Sequence, residues 1–292
     1  MSSLLTPLKN YFSLVRFGHT VFAMPFALAG FFLGLFSGEN HFSLRLLLLV
    51  ILCMIFARNS AMGFNRLADK RFDALNPRTR NREIPSGRIS PGAALVFIII
   101  NCTLFITAAG FINTLTLVLS PVALIIILGY SLTKRFTSLC HFILGAGLGL
   151  APAGAYIAVT GSFDILPVIY SFIVMTWVSG FDIIYSLQDD TFDKSNNLFS
   201  LPSAMGRKRA LKISVFIHAA TFLLVITAGL TGRGGYIFWA GSIIFTILLV
   251  YQHLIVRHDD LSRVTLAFGT VNGIAGILFS GSVILDLYSR SS

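Results

Sequence analysis

"GFNRLADKRFDALNPRTRNREIPSG", residues 63–87, places nine charged side chains in 25 positions of a chain that is otherwise largely hydrocarbon. The whole sequence has 292 residues, of which 55% are hydrophobic and 12% charged, and it contains 27 Phe. Soluble globular chains carry about 25% charged residues. The apolar runs on either side of 63–87 are long enough to cross a bilayer, which takes about 20 helical residues. The stretch therefore reads as a loop between two membrane spans, and the same alternation continues outward in both directions. Nine apolar segments follow from it, at roughly 19–37, 43–64, 91–111, 113–131, 137–159, 163–187, 210–230, 235–256 and 264–287. This predicts an all-α integral membrane protein of nine transmembrane helices, with residues 1–292 forming one polytopic domain. The long loops are only two, about 65–90 and about 188–209.

Lys and Arg set the orientation, because they concentrate on the cytoplasmic side. With the N-terminus inside, 18 of the 22 basic residues fall in cytoplasmic segments. The N-terminus and both long loops are then cytoplasmic and the C-terminus is outside, in the cell (inner) membrane. The net charge of +10 expresses this topology and attraction to anionic membrane lipid. No aromatic-interleaved basic module points to nucleic acid, and no protein partner can be inferred. Cys53, Cys102 and Cys140 sit in or beside apolar spans without paired spacing, so they read as small core residues. Lys9 and Arg16 precede an apolar run of full span length, which reads as an uncleaved first helix.

Within the opening stretch, Asn65, Asp69 and Asp73 recur every four residues and share a face if the second span continues as a helix. Alone, such a string has little specificity, since Arg66, Lys70 and Arg71 could pair with the acids. A second occurrence decides it. In "GFDIIYSLQDDTFDKSNNLFSLPSA", residues 180–204, Asp182, Tyr185, Asp189 and Asp193 follow one helical face, with Asp190 adjacent. Each row is followed by a Pro-Ser turn, "IPSG" at 84–87 and "LPSA" at 201–204, a hint of duplication. Two acidic rows at one bilayer face suit Mg²⁺, which prefers oxygen ligands and is held by one or two carboxylates with substrate phosphates. Such ions invert the sign of an acidic site, so that it can take a diphosphate. Arg78, Arg82 and Lys134 complete a cage for that group. The rest of the ligand should be lipid, because the site opens into an apolar bundle, and a polyprenyl diphosphate meets both requirements.

These residues resemble the UbiA-type aromatic prenyltransferases over almost the whole chain. That family's first motif, N-D-x-x-D-x-x-x-D, matches Asn65, Arg66, Asp69 and Asp73, with Arg66 in place of an acid. Its second, D-x-x-Y-x-x-x-D-x-x-x-D, matches Asp182, Tyr185, Asp189 and Asp193. Arg58 matches a second-helix arginine, and "YSLTK" supplies Tyr130 and Lys134 of a Y-x-x-x-K element. The resemblance implies nine helices around a central cavity under a cytoplasmic loop cap. It also implies Mg²⁺-dependent transfer of a polyprenyl group to an aromatic acid in quinone biosynthesis. The details look most like the 4-hydroxybenzoate polyprenyltransferase branch (ubiquinone or menaquinone biosynthesis), with a dihydroxynaphthoate as the alternative acceptor.

The expected metal set is Asn65, Asp69, Asp73, Asp189 and Asp193, and the expected catalytic set is Asp69, Asp73, Asp182, Asp189 and Tyr185. Either Tyr130 or Tyr185 could face an allylic cation. Asp182 is a candidate for the ring proton, as is released diphosphate, and reads more as a supporting or metal-site residue than as the sole base. Arg58, inside the second span, is the leading anchor for the acid's carboxylate, with Arg16 and Tyr130 beside it. His218 reads as a hydrogen-bonded structural residue, and Pro121, Pro152 and Pro167 as helix kinks. A secondary transporter is the rival from another class, but its site would lie near the bilayer midplane.

Overall fold

The computed structural model describes residues 10–15, 23–38 and 40–291, and the elements in them are helices. In chain order these are α1 (Met24–Leu35), α2 (Leu44–Ala68), the short α3 (Lys70–Leu75), α4 (Pro91–Gly110), α5 (Thr114–Thr133), α6 (Cys140–Thr160) and α7 (Ile165–Ser186). A 3-10 turn (Leu187–Asp189) leads to the short α8 (Asp190–Ser195) and α9 (Leu201–Met205), followed by α10 (Arg207–Thr231) and α11 (Tyr236–Ile255). A turn of π-helix (Ala267–Val271) then opens α12 (Asn272–Ser291). Among the described residues eight helical segments are long and apolar enough to cross a membrane, and the shorter apolar α1 stands where the first span was expected. The chain is an integral membrane protein. Arg16 and His19 lie outside the described residues.

Local chemistry starts these helices where it should. The side chains of Ser43, Ser90, Asn113 and Asp164 each accept a hydrogen bond from a first-turn amide of α2, α4, α5 and α7. That satisfies donors which have no partner within the helix. Pro167 was expected to kink its helix. It lies instead in the first turn of α7, where its missing N–H costs nothing. Pro121 and Pro152 do lie inside α5 and α6.

In α4 the buried Ala94, Ile98, Asn101 and Ala108 make one face, while Leu95, Val96, Ile99 and Ile100 on the other are half exposed. A helix apolar all round is what a lipid-facing span requires. Asn59 of α2 donates to Asn101 across that contact at 3.0 Å, a polar link of the kind that joins helices in lipid. Glycine allows a close crossing: a Cβ on Gly30 of α1 would lie 2.1 Å from the Pro152 carbonyl oxygen of α6.

Packing is uneven, and this positions the site. The α7 helix packs along α6 and α10, α11 along α12, and α1 between α6 and α12. The largest core surrounds the fully buried Trp177, with Phe26, Phe245 and Phe279 about it. The Trp177 indole donates to Asn272 at 3.0 Å, so its N–H is not left unmade. On the other side of α6, between α2 and α5, the bundle is hollow.

Candidate active site

The first acidic row does not lie on one unbroken helix. The α2 helix stops at Ala68, and Asp69 takes φ −90°, ψ 8° before α3 resumes. The i, i+4 pattern survives that bend. The Asp69 amide donates to the Asn65 carbonyl (3.0 Å) and the Asp73 amide to the Asp69 carbonyl (2.8 Å). Asn65 Nδ2 also donates to Asp69 Oδ2 at 3.2 Å. The second row is bent likewise by the 3-10 turn, which alters the helical phase between Tyr185 and Asp193. Asp190 is thereby turned to Arg207, with bonds of 2.8 Å from both Nε and Nη2.

Each of the three expected diphosphate cations is held by an expected acid. Arg82 Nη1 meets Asp73 Oδ1 at 2.7 Å and Lys134 Nζ meets Asp193 Oδ1 at 2.7 Å. Arg78 grips Asp189 with Nε (3.0 Å) and Nη2, and its Nη1 donates to the Tyr185 hydroxyl at 3.0 Å. Arg78 thus leaves the first loop to bind the second row, and so brings the two rows together. Asn76 Nδ2 adds a bond to Asp189 at 3.2 Å, and Ser200 donates to Asp193 Oδ2 at 2.9 Å. Burial alone would lower the Lys134 pKa, but the adjacent Asp193 carboxylate outweighs it and holds the ammonium above its ordinary range. Asp69 goes the other way. Burial, and then the like charge of Asp73, pushes it up to about 6, against the weaker pull of Arg135, 3.5 Å away.

A cavity of about 600 Å³ begins at these rows. Asp69, Arg82, Lys134, Tyr185 and Asp189 line its charged end, and Arg58, Arg66, Tyr130 and Asp182 lie along its wall. Beyond them the lining is apolar, through Met54, Ala123, Leu148, Ala151 and Gly154, as far as Ile112 and Phe163 in the connections at the opposite end of the bundle. Arg58 Nη2 also donates to the Val15 carbonyl at 3.5 Å. The carboxylates therefore sit at one end and not at midplane, which argues against the transporter.

The donor set fits magnesium. It consists of hard oxygens only, and Asp73 Oδ2 is buried with no hydrogen-bond partner among the described residues, a costly arrangement unless a cation takes it up. Among the described residues no three His, Cys, Asp or Glu side chains converge tightly enough to hold a metal ion by themselves. That agrees with an ion whose remaining ligands are phosphate oxygens and water.

Sequence reasoning missed several residues here. Phe268 stacks on Tyr185 with ring centroids 4.1 Å apart, delivered by the π-helical turn, whose phase an α-periodic reading does not follow. His141 bonds to Asp182 at 2.7 Å; its one signal was a lone polar ring at the start of an apolar span. His218, expected to be structural, does form hydrogen bonds, to His253 (2.8 Å) and to the Trp177 carbonyl (3.1 Å).

Residues 23–279 match the UbiA prenyltransferase family. A 4-hydroxybenzoate octaprenyltransferase of Photobacterium profundum is 25% identical over 284 residues, covering 96% of this chain and 97% of its own. That of Enterobacter sp. (strain 638) is 28% identical over 217 residues, covering 74% and 75%. Among solved structures, the apo form of a UbiA homolog from Aeropyrum pernix K1 superposes with a TM-score of 0.83 at 31% identity, over 92% of this chain and 98% of that one. A UbiA homolog from Archaeoglobus fulgidus, bound to DMAPP and Mg²⁺, shares the fold with a TM-score of 0.72 at 21% identity, over 94% and 99%.

Proposed function

The chain belongs to the UbiA prenyltransferase family, and on that footing we propose that it transfers a polyprenyl group from a prenyl diphosphate to 4-hydroxybenzoate, with Mg²⁺, acting as one domain over residues 1–292. The observation that carries this reading is the meeting of two acidic rows, through Arg78, at the charged end of a long apolar cavity. That end suits a diphosphate head and the rest suits an isoprenoid tail. The names of the bacterial relatives favour 4-hydroxybenzoate as acceptor. The Lys and Arg distribution favours a cytoplasmic N-terminus, with the charged end facing the cytosol of the cell.

Asn65, Asp69, Asp73, Asp189 and Asp193 would hold the metal. When bound, Mg²⁺ would neutralise charge building on the departing diphosphate. Arg78, Arg82 and Lys134, each now paired with an acid, would exchange that partner for phosphoryl oxygens. Arg58 lies two turns inside Asn65 on α2, with Tyr130 close by, and would anchor the carboxylate of the acceptor. Tyr185, whose ring stacks on Phe268 and carries the Arg78 guanidinium 5.5 Å from its centroid, or Tyr130 would stabilise developing allylic charge by up to about 2 kcal/mol if water is excluded. The apolar walls provide that exclusion, without which the cation would be hydrolysed.

The test is purified protein in detergent with Mg²⁺, prenyl diphosphates of several lengths and a panel of aromatic acids, with products read by mass spectrometry. A prenylated hydroxybenzoate that disappears with EDTA, and in Asp189→Asn, is the expected result. Prenylation of a dihydroxynaphthoate alone would reassign the acceptor, and no prenylated product with any acid would overturn the reading.

A further inference from the structure

His141 lines the cavity near its charged end and has no part in the scheme above. It stands at the start of α6, is 2% exposed, and has both ring nitrogens engaged. The Leu201 backbone N–H donates to Nε2 at 3.3 Å, so Nε2 carries a lone pair and the ring proton is on Nδ1. From there it is donated to Asp182 Oδ2 at 2.7 Å. The Leu201 amide thus favours the ring form with its proton on Nδ1, the atom that faces Asp182. Ser179, on the same face of α7 as Asp182, donates to the His141 carbonyl at 3.2 Å. Asp182 itself is a cavity-lining carboxylate with 21% of its side chain exposed. Oδ2 is committed to His141, which leaves Oδ1 for the cavity.

We propose that His141 is a positioning residue that holds Asp182 as the acceptor of the aromatic proton. The inference rests on the prenyl-transfer reading. In that reaction the donor C–O bond breaks and diphosphate leaves with the bonding pair. The ring carbon beside the hydroxyl forms a C–C bond to the allylic carbon. Its hydrogen then passes as a proton to Asp182 Oδ1, and the C–H electron pair restores aromaticity; nothing is oxidised or reduced. A base is useful only if its oxygen is already aimed, and the Nδ1–H bond fixes the carboxylate plane as a buried partner fixes a catalytic side chain elsewhere. The dyad is also tied to the loop over the charged end. Leu201 holds His141, while the preceding Ser200 holds Asp193, so adjacent residues touch the positioning histidine and the diphosphate end.

The experiment compares wild type with His141→Ala and His141→Asn, whose amide N–H replaces the Nδ1 donor. Each is assayed with protio and ring-deuterated aromatic acid. We expect His141→Ala to lose about 10²-fold in kcat, to keep KM for the prenyl donor within about threefold, and to show a larger primary isotope effect as proton removal becomes limiting. His141→Asn should recover most of kcat with the isotope effect of wild type. If His141→Ala does not fold, His141→Gln, which lacks a donor at Nδ1, is read in its place. Unchanged kcat, or a loss of kcat with no rise in the isotope effect, overturns the proposal, because a purely structural role slows turnover without exposing the proton step. A wild-type protein that prenylates no aromatic acid fails at the earlier reading, a distinguishable result.

Discussion

Arg78 and Asp189, 111 residues apart, close on one another through two guanidinium nitrogens, and this pair joins the loop after the first acidic row to the second row. A fork of that kind matches carboxylate and phosphate alike, whereas an ammonium offers only a point charge. Arg78→Lys should therefore fold and keep kcat within about threefold but raise KM for the prenyl diphosphate about tenfold, the equivalent of about 1.4 kcal/mol for one lost charge-assisted bond. Steady-state kinetics with varied donor at saturating acceptor will check it.

Asp69 gives a pH signature. Burial and Asp73 push its pKa up to about 6, above the ordinary carboxylate value of about 3.9. The sign follows directly: a raised carboxyl favours the fold while protonated, and that contribution is lost as pH rises through about 6. A cation reverses the balance, because it needs the ionised form. Affinity for Mg²⁺ should fall about tenfold per pH unit below about 6 and be flat above it. Isothermal titration with Mg²⁺ across pH 5–8 measures this, and Asp69→Asn should remove the slope.

Arg58 lines the wall of the cavity away from the diphosphate end. In Arg58→Ala we expect KM for the aromatic acid to rise about tenfold or more with KM for the donor unchanged. Equal effects on both substrates would show that the residue shapes the bundle and does not anchor a carboxylate.

Gly154 lines the apolar part of the cavity, and a Cβ built there meets no atom within 4 Å. A side chain at this position therefore starts into open space. Gly154→Phe should keep activity with a geranyl donor and lose at least about tenfold with long polyprenyl donors. Relative rates over a series of donor lengths will show whether the cut-off moves.

The spans were legible because the bilayer imposes a length on apolar runs, and the eight long helices among the described residues fall where hydropathy put them. The acidic rows were legible because a four-residue recurrence survives a bend at Asp69. The phase shift that turns Asp190 toward Arg207 was not, because one 3-10 turn redirects a side chain while leaving the spacing in the sequence unchanged. Pro167 departs from the expected kink because the Asp164 cap starts α7 only three residues before it. Phe268 and His141 reach the site from other helices, and their distance from the motifs in sequence hid them.

Lys134, in the short connection between α5 and α6, holds the second long loop in two separate ways: its ammonium meets Asp193 and its carbonyl accepts the Phe199 amide at 2.7 Å. The main-chain contact is indifferent to which side chain stands at 134. Descendants of this protein can retune how strongly the anionic head is gripped there, one substitution at a time, while the latch between the loops stays fastened.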